Sequence, residues 1–299
     1  MLAKVACVGT ARAVPDGPLA CTACPTIWHA QYDLRGGTQI YYVLRNPPKP
    51  LELRRELQMP EFQYHDVAKM IDHSLLNPTL TTDDLDAGIQ LALAYDVASV
   101  CIMPYYMKSC AERLAGSTVK ASTTIGFPHG GHTTVIKRAE AEQAIADGCE
   151  ELDMVVNISK VLSGDWGYVR TEIAQIVELA HNAGQKVKVI FENSYLNDEQ
   201  KIRLCEICTE VDADWVKTST GYGSGGATQD DLKLMRKHSG DQVQVKAAGG
   251  VRDLDTLLAV RAIGVTRCGA SRTAEILGEA RKRLGLPEIE ATASDNSGY

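Results

Sequence analysis

From Phe62 onward, short β-branched runs alternate with longer stretches whose apolar residues recur at helical spacing, the pattern of repeated βα units around a parallel sheet. Eight runs predict strands over residues 70–73, 97–102, 119–125, 151–157, 187–192, 215–218, 243–247 and 266–269. Between them, 135–146 and 169–180 place apolar residues three or four apart and predict outer helices with one buried face. Eight units favour a closed TIM (β/α)8 barrel, an α/β fold, over 61–287. Residues 1 to 60 hold neither period, and Pro15, Pro18, Pro25, Pro47, Pro48 and Pro50 interrupt them, so they read as an irregular or disordered extension. Their start has arginine and no acid before Asp16, a weak likeness to an organelle transit segment, but helical amphipathicity is poor and Met59 is a candidate true start. Residues 288–299 read as a flexible polar tail.

Composition narrows the function. The chain has 299 residues, 44% of them hydrophobic, enough for one large barrel domain. Lys and Arg total 31 against 38 Asp and Glu, a net charge of -7 without a basic block, which argues against nucleic acid as a partner. No apolar run approaches the roughly 18 residues of a membrane span, and no signal-type stretch opens the chain. A soluble, cytoplasmic protein is expected. Nine cysteines without a framework spacing read as reduced thiols. Two CxxC pairs, Cys21/Cys24 and Cys205/Cys208, could in principle make a four-thiolate zinc site. The second pair lies in a helical pattern with Ile202, and packing against the core is the better reading.

The chemistry concentrates at strand ends. Lys217 and Lys246 close two consecutive strand-like runs, each followed closely by glycine. A strand lysine in apolar surroundings loses its charge more easily, and a second ammonium nearby lowers its pKa further, leaving an amine able to attack a carbonyl. Asp72, Asp153 and Lys188 also fall in or at the ends of predicted strands, where a charge is costly unless paired. The plainer reading of all five is a buried ion-pair network; two lysines beside glycine-rich turns favour a Schiff-base enzyme. Gly221, Gly249, Gly250, Gly269 and Ser271 follow the last three predicted strands, where barrels often bind phosphate through backbone N–H groups. A phosphorylated substrate is therefore expected.

From about Tyr64 to Gly285 the chain resembles the deoxyribose-phosphate aldolase family, class I aldolases with a TIM-barrel fold. The resemblance rests on several motifs in order: Ile71-Asp-His-Ser-Leu-Leu76, Ala98-Ser-Val-Cys-Ile102, Ile125-Gly-Phe-Pro128, Glu151-Leu-Asp-Met-Val-Val-Asn157, Lys188-Val-Ile-Phe-Glu192, Val216-Lys-Thr-Ser-Thr-Gly221, Val245-Lys-Ala-Ala-Gly-Gly-Val-Arg252 and Gly269-Ala-Ser271. It implies reversible cleavage of 2-deoxy-D-ribose 5-phosphate to D-glyceraldehyde 3-phosphate and acetaldehyde in deoxyribose phosphate catabolism, with no cofactor or metal required. Lys217 would be the nucleophile, Lys246 would depress its pKa, Asp153 would move protons, and Asp72 would hydrogen-bond a substrate hydroxyl or orient a lysine. Cys101 matches a family cysteine near the pocket and reads as a small core residue. Tyr299 matches a terminal tyrosine that assists proton transfer in some members. A homodimer is the family habit. Ser74 stands where threonine is common, and Arg272 where a small residue is frequent, which puts the outer rim of the phosphate site in doubt. Two rival readings are a Schiff-base aldolase for another aldehyde or a longer sugar phosphate, and an idle barrel that binds a sugar phosphate as a sensor.

Overall fold

The computed structural model describes residues 62–289 and two short strands before them. The chain divides into two units between Pro60 and Glu61. In the first, Ala30–Gln31 pairs antiparallel with Tyr41–Tyr42. Cys21, Cys24, Met59 and the tail from 290 onward lie outside the described residues.

In the second unit eight parallel strands close on themselves in sequence order: β1 (Ile71–Leu75), β2 (Ser99–Ile102), β3 (Lys120–Ile125), β4 (Glu151–Val155), β5 (Lys186–Ile190), β6 (Trp215–Lys217), β7 (Gln244–Ala248) and β8 (Arg267–Ala270), with β8 bonded back to β1. This is the predicted TIM barrel, and each predicted run finds its strand within two residues at either end. Helix α1 (Tyr64–Ala68) precedes the barrel. The connections carry α2 (Thr82–Ala94), α3 (Met107–Leu114), α4 (Thr134–Ala146), α5 (Ile158–Leu162), α6 (Trp166–Asn182), α7 (Asp198–Glu210), α8 (Gln229–His238) and α9 (Leu254–Ile263), and α10 (Thr273–Arg283) follows β8. Short-range chemistry starts several of them. The Thr81 side chain accepts the Asp84 N–H while Asp84 returns a bond to the Thr81 backbone, opening α2, and Asn197 with Gln200 does the same for α7.

Strand alternation divides the molecule into two buried layers. Leu152 and Met154 of β4, Val187 and Val189 of β5, Val216 of β6 and Val245 of β7 join Ile173, Ile176 and Val177 of α6 in the apolar layer between barrel and helices. Their sequence neighbours Glu151, Asp153, Lys188, Lys217 and Lys246 are equally buried but turn to the barrel interior. His73 faces outward, its Nδ1 2.8 Å from Thr273 Oγ1 on α10, and burial lowers its pKa to about 4. On α7, Cys205 and Cys208 are buried, and burial pushes the Cys205 thiol up to about 12. They serve as small apolar packing residues. Among the described residues no helix is long and apolar enough to cross a membrane.

Candidate active site

Register brings the charged residues together. Lys217, the last residue of β6, pairs with Lys246 of β7, and Asp153 of β4 pairs with Lys188 of β5. Paired positions of neighbouring parallel strands project to the same face, so these side chains converge inside the barrel. Asp153 is the hub. Its Oδ2 accepts from Lys217 Nζ at 2.8 Å and from Lys246 Nζ at 2.7 Å, while Oδ1 accepts from Lys188 Nζ at 2.9 Å. Asp72 of β1 meets Lys246 at 2.5 Å through Oδ2 and accepts from Arg267 of β8 at 2.6 Å through Oδ1. Glu151 accepts from Lys188 at 2.6 Å and from both terminal nitrogens of Arg267, at 2.7 and 3.0 Å. Trp215 packs against two of these cations, Arg267 and Lys188, 5.0 and 5.6 Å from its ring centroid, and against Lys186, which pairs with Asp214 outside this set, at 5.4 Å.

Four cations, Lys188, Lys217, Lys246 and Arg267, thus share three carboxylates, Asp72, Glu151 and Asp153. If all were ionised, one positive charge would be in excess in a site shielded from water. The excess falls where counter-charge is thinnest. Lys188 touches three carboxylates and Lys246 two, whereas Lys217 has ion contact only with Asp153, which both other lysines also use. Burial and the nearby Lys246 ammonium lower the Lys217 pKa against the pull of Asp153. Burial also acts on Lys246, but Asp153 and Asp72 outweigh it and raise the pKa. Lys188 is held well above the ordinary lysine value by Asp153, Glu151 and Asp72 in spite of burial. Asp153, although buried, lies well below the usual carboxylate range because Lys188, Lys217 and Lys246 surround it. The arrangement therefore lowers the pKa of one lysine beside two whose pKa it raises.

Of the predicted site residues, Lys217, Lys246, Asp153 and Asp72 come together. Asp72 is engaged with Lys246 and Arg267. Gly221, Gly249 and Gly250 follow β6 and β7, and each has a positive φ of 90, 77 and 93°. Gly249 has a second reason to lack a side chain: a Cβ there would lie 2.9 Å from Gly226 Cα. Gly269 lies in β8 beside Lys246, and Ser271 stands just past that strand. Cys101 faces the interior from β2, paired with Ser74 of β1, and burial followed by the Asp153 charge raises its thiol pKa. Tyr299 lies outside the described residues.

Arg267, Glu151 and Trp215 are the members that sequence reasoning left without a role. A signal for the acids and lysines existed in the alternation Glu-Leu-Asp in β4 and Lys-Val-Lys in β5, charged at every second position of otherwise apolar strands. Arg267 had no such companion in its own strand.

Comparison with known proteins agrees with this geometry. Residues 66–271 match the model of the DeoC/LacD family aldolase. A curated deoxyribose-phosphate aldolase of Rhodopirellula baltica is 76% identical over 241 residues, covering 81% of this chain and 100% of the relative. Another, from Thermococcus gammatolerans, is 45% identical over 218 residues, covering 72% and 97%. Among solved structures, the aldolase QR15 has a TM-score of 0.70 at 35% identity, covering 74% of this chain and 99% of its own. A deoxyribose phosphate aldolase from Aeropyrum pernix, described as tetrameric, has a TM-score of 0.68 at 28% identity, covering 73% and 92%. With a closed barrel, a lysine and carboxylate network at its centre and these relatives, the chain belongs to the DeoC/LacD aldolase family and is an aldolase.

Proposed function

We propose that this aldolase reversibly cleaves 2-deoxy-D-ribose 5-phosphate to D-glyceraldehyde 3-phosphate and acetaldehyde through a Schiff base on Lys217, as a step in the breakdown of deoxyribose phosphates. The observation that carries this reading is the thin counter-charge of Lys217 in a buried site with one cation too many. Its free amine attacks C1 of the open-chain sugar, and uptake of a proton with loss of water gives a protonated imine. Removal of the C3 hydroxyl proton lets the C2–C3 bond break. Its electron pair moves into the imine to leave a neutral enamine, and glyceraldehyde 3-phosphate departs. Protonation of the enamine carbon and hydrolysis release acetaldehyde and restore the amine.

Asp153 sits where it can pass protons, directly or through water, because its Oδ2 already contacts both Lys217 and Lys246. Burial and the Lys246 charge favour the free amine of Lys217, and Asp72, itself held by Arg267, fixes Lys246. The backbone at Gly221, Gly249, Gly250 and Gly269 with the Ser271 hydroxyl binds the phosphate, at the strand ends where barrels commonly bind it. Tyr299 is assigned a supporting part in proton transfer on the resemblance alone. Borohydride reduction with 2-deoxyribose 5-phosphate, followed by peptide mass spectrometry, tests the reading. A two-carbon adduct on Lys217 is expected; a folded protein with no lysine adduct would falsify the imine mechanism.

A further inference from the structure

The nucleophile proposed above is only 3% exposed, yet a five-carbon sugar phosphate has to reach it. The residue five positions on, Tyr222, ties together three loops from separate parts of the barrel. Its hydroxyl donates to the carbonyl of Leu76 at 2.8 Å, just past β1. Its ring meets Phe127, just past β3, edge to face, with centroids 5.4 Å apart. Tyr222 itself follows β6. In the closed strand order β1 and β3 are separated by β2, β3 and β6 by β4 and β5, and β6 and β1 by β7 and β8. Loops so distributed around the rim can share one side chain only over the open C-terminal mouth.

The segment bearing Tyr222 is built as a strap with two anchors. At its near end the Thr220 N–H and hydroxyl both donate to the buried Glu192 carboxylate, and Thr220 Oγ1 accepts the Tyr222 N–H at 3.0 Å. At its far end the Ala227 N–H donates to the Ala248 and Gly249 carbonyls at 3.0 and 2.9 Å. Between the anchors stand Gly221, with a φ of +90°, and Gly223, Gly225 and Gly226, whose missing side chains let the strap lie against Glu192, Ser194 and Gly249.

We infer that Tyr222 is a specificity-determining residue that selects by size which carbonyl compounds reach Lys217: latched to Leu76 it narrows the mouth, and a sugar phosphate enters only when the latch opens. The inference rests on the proposed imine at Lys217. A latch closed most of the time lowers the apparent affinity for a large substrate by the open fraction, while a two-carbon aldehyde passes regardless. The test compares Tyr222→Phe, which keeps the ring and loses the latch, with the wild-type protein. Loss of one hydrogen bond is expected to raise kcat/KM for 2-deoxyribose 5-phosphate by about threefold to tenfold, with the rate of borohydride trapping by acetaldehyde unchanged. Phe127→Leu, which loosens the ring and keeps the hydroxyl, should move kcat/KM in the same direction by less. An unchanged or lower kcat/KM for the sugar in Tyr222→Phe, or an equal change for sugar and acetaldehyde, overturns the inference. If acetaldehyde traps no lysine in the wild-type protein, the imine itself is what fails.

Discussion

Two buried lysines in this protein have nearly the same immediate chemistry and different consequences. Lys217 lies 2.8 Å from Asp153 inside the barrel, and Lys137 lies 2.9 Å from Glu172 between barrel and helices. Burial lowers both pKa values, so a depressed lysine is not by itself a mark of function. Lys137 makes its ion contact with Glu172, one charge against one, with the Glu140 charge nearby. Lys137 Nζ also donates to the Val155 carbonyl at 2.7 Å, and Glu172 accepts the Asn157 N–H at 2.9 Å, which pins the chain just past Asp153. Lys217 instead belongs to a set of unequal charges and stands at the end of β6. On the proposed mechanism, shared counter-charge and position at a strand end are what would set a reactive amine apart from a structural one.

The largest expected difference is in activity. Lys217→Met should reduce kcat by at least about a thousandfold, whereas the correctly folded fraction of Lys137→Met should keep kcat within a fewfold. Steady-state assay of both variants against circular dichroism checks this. Stability should move the other way. Lys137→Met leaves Glu172 buried without its partner, at a cost of about 3–5 kcal/mol, and the double variant Lys137→Met/Glu172→Leu should regain a large part of it, read from denaturant midpoints. In the central set, Lys217→Met leaves three cations against three carboxylates. Because the folded pKa of Lys217 is lowered, the unfolded chain binds more protons between that value and roughly 10.4, so stability rises with pH across the window and is reduced below it. Removing the amine removes that cost, and the melting temperature of Lys217→Met at pH 7 should equal or exceed that of the wild type.

The same sign governs rate. In the proposed imine mechanism only the free amine attacks, so kcat/KM should fall as pH drops through the folded Lys217 value. Lys246→Met takes away a neighbouring positive charge and should move that acid limb to higher pH, an effect a purely structural lysine would not produce. The smallest contrast concerns the glycine beside each site. At Gly126, with a φ of +65°, an added Cβ would lie 2.7 Å from Lys137 Cε, and Gly126→Ala should cost about 1–2 kcal/mol. At Gly269 the nearest atoms would be 3.6 and 3.7 Å away, so Gly269→Ala should leave stability within about 0.5 kcal/mol. It should instead raise KM for the phosphorylated substrate, measured against non-phosphorylated deoxyribose.

The order of local structure was legible in the chain before folding. Period-two runs and helical stretches gave all eight strands, because alternation and amphipathicity are properties of neighbours in sequence. Lys217, Lys246, Asp153 and Asp72 could be singled out for the same reason: a charge inside an apolar strand is anomalous wherever the strand goes. Which charges share which carboxylate was not legible. Arg267 and Glu151 are 116 residues apart, and only closure of β8 against β1 makes them partners. Nor did the helical pattern around Lys137 show that this lysine too is buried, since that depends on which layer it enters and which counter-charge waits there. Local pattern fixed the elements and their candidate chemistry. The distribution of charge among them was decided by the register and closure of the sheet, because electrostatic energy depends on distances that only the tertiary fold creates.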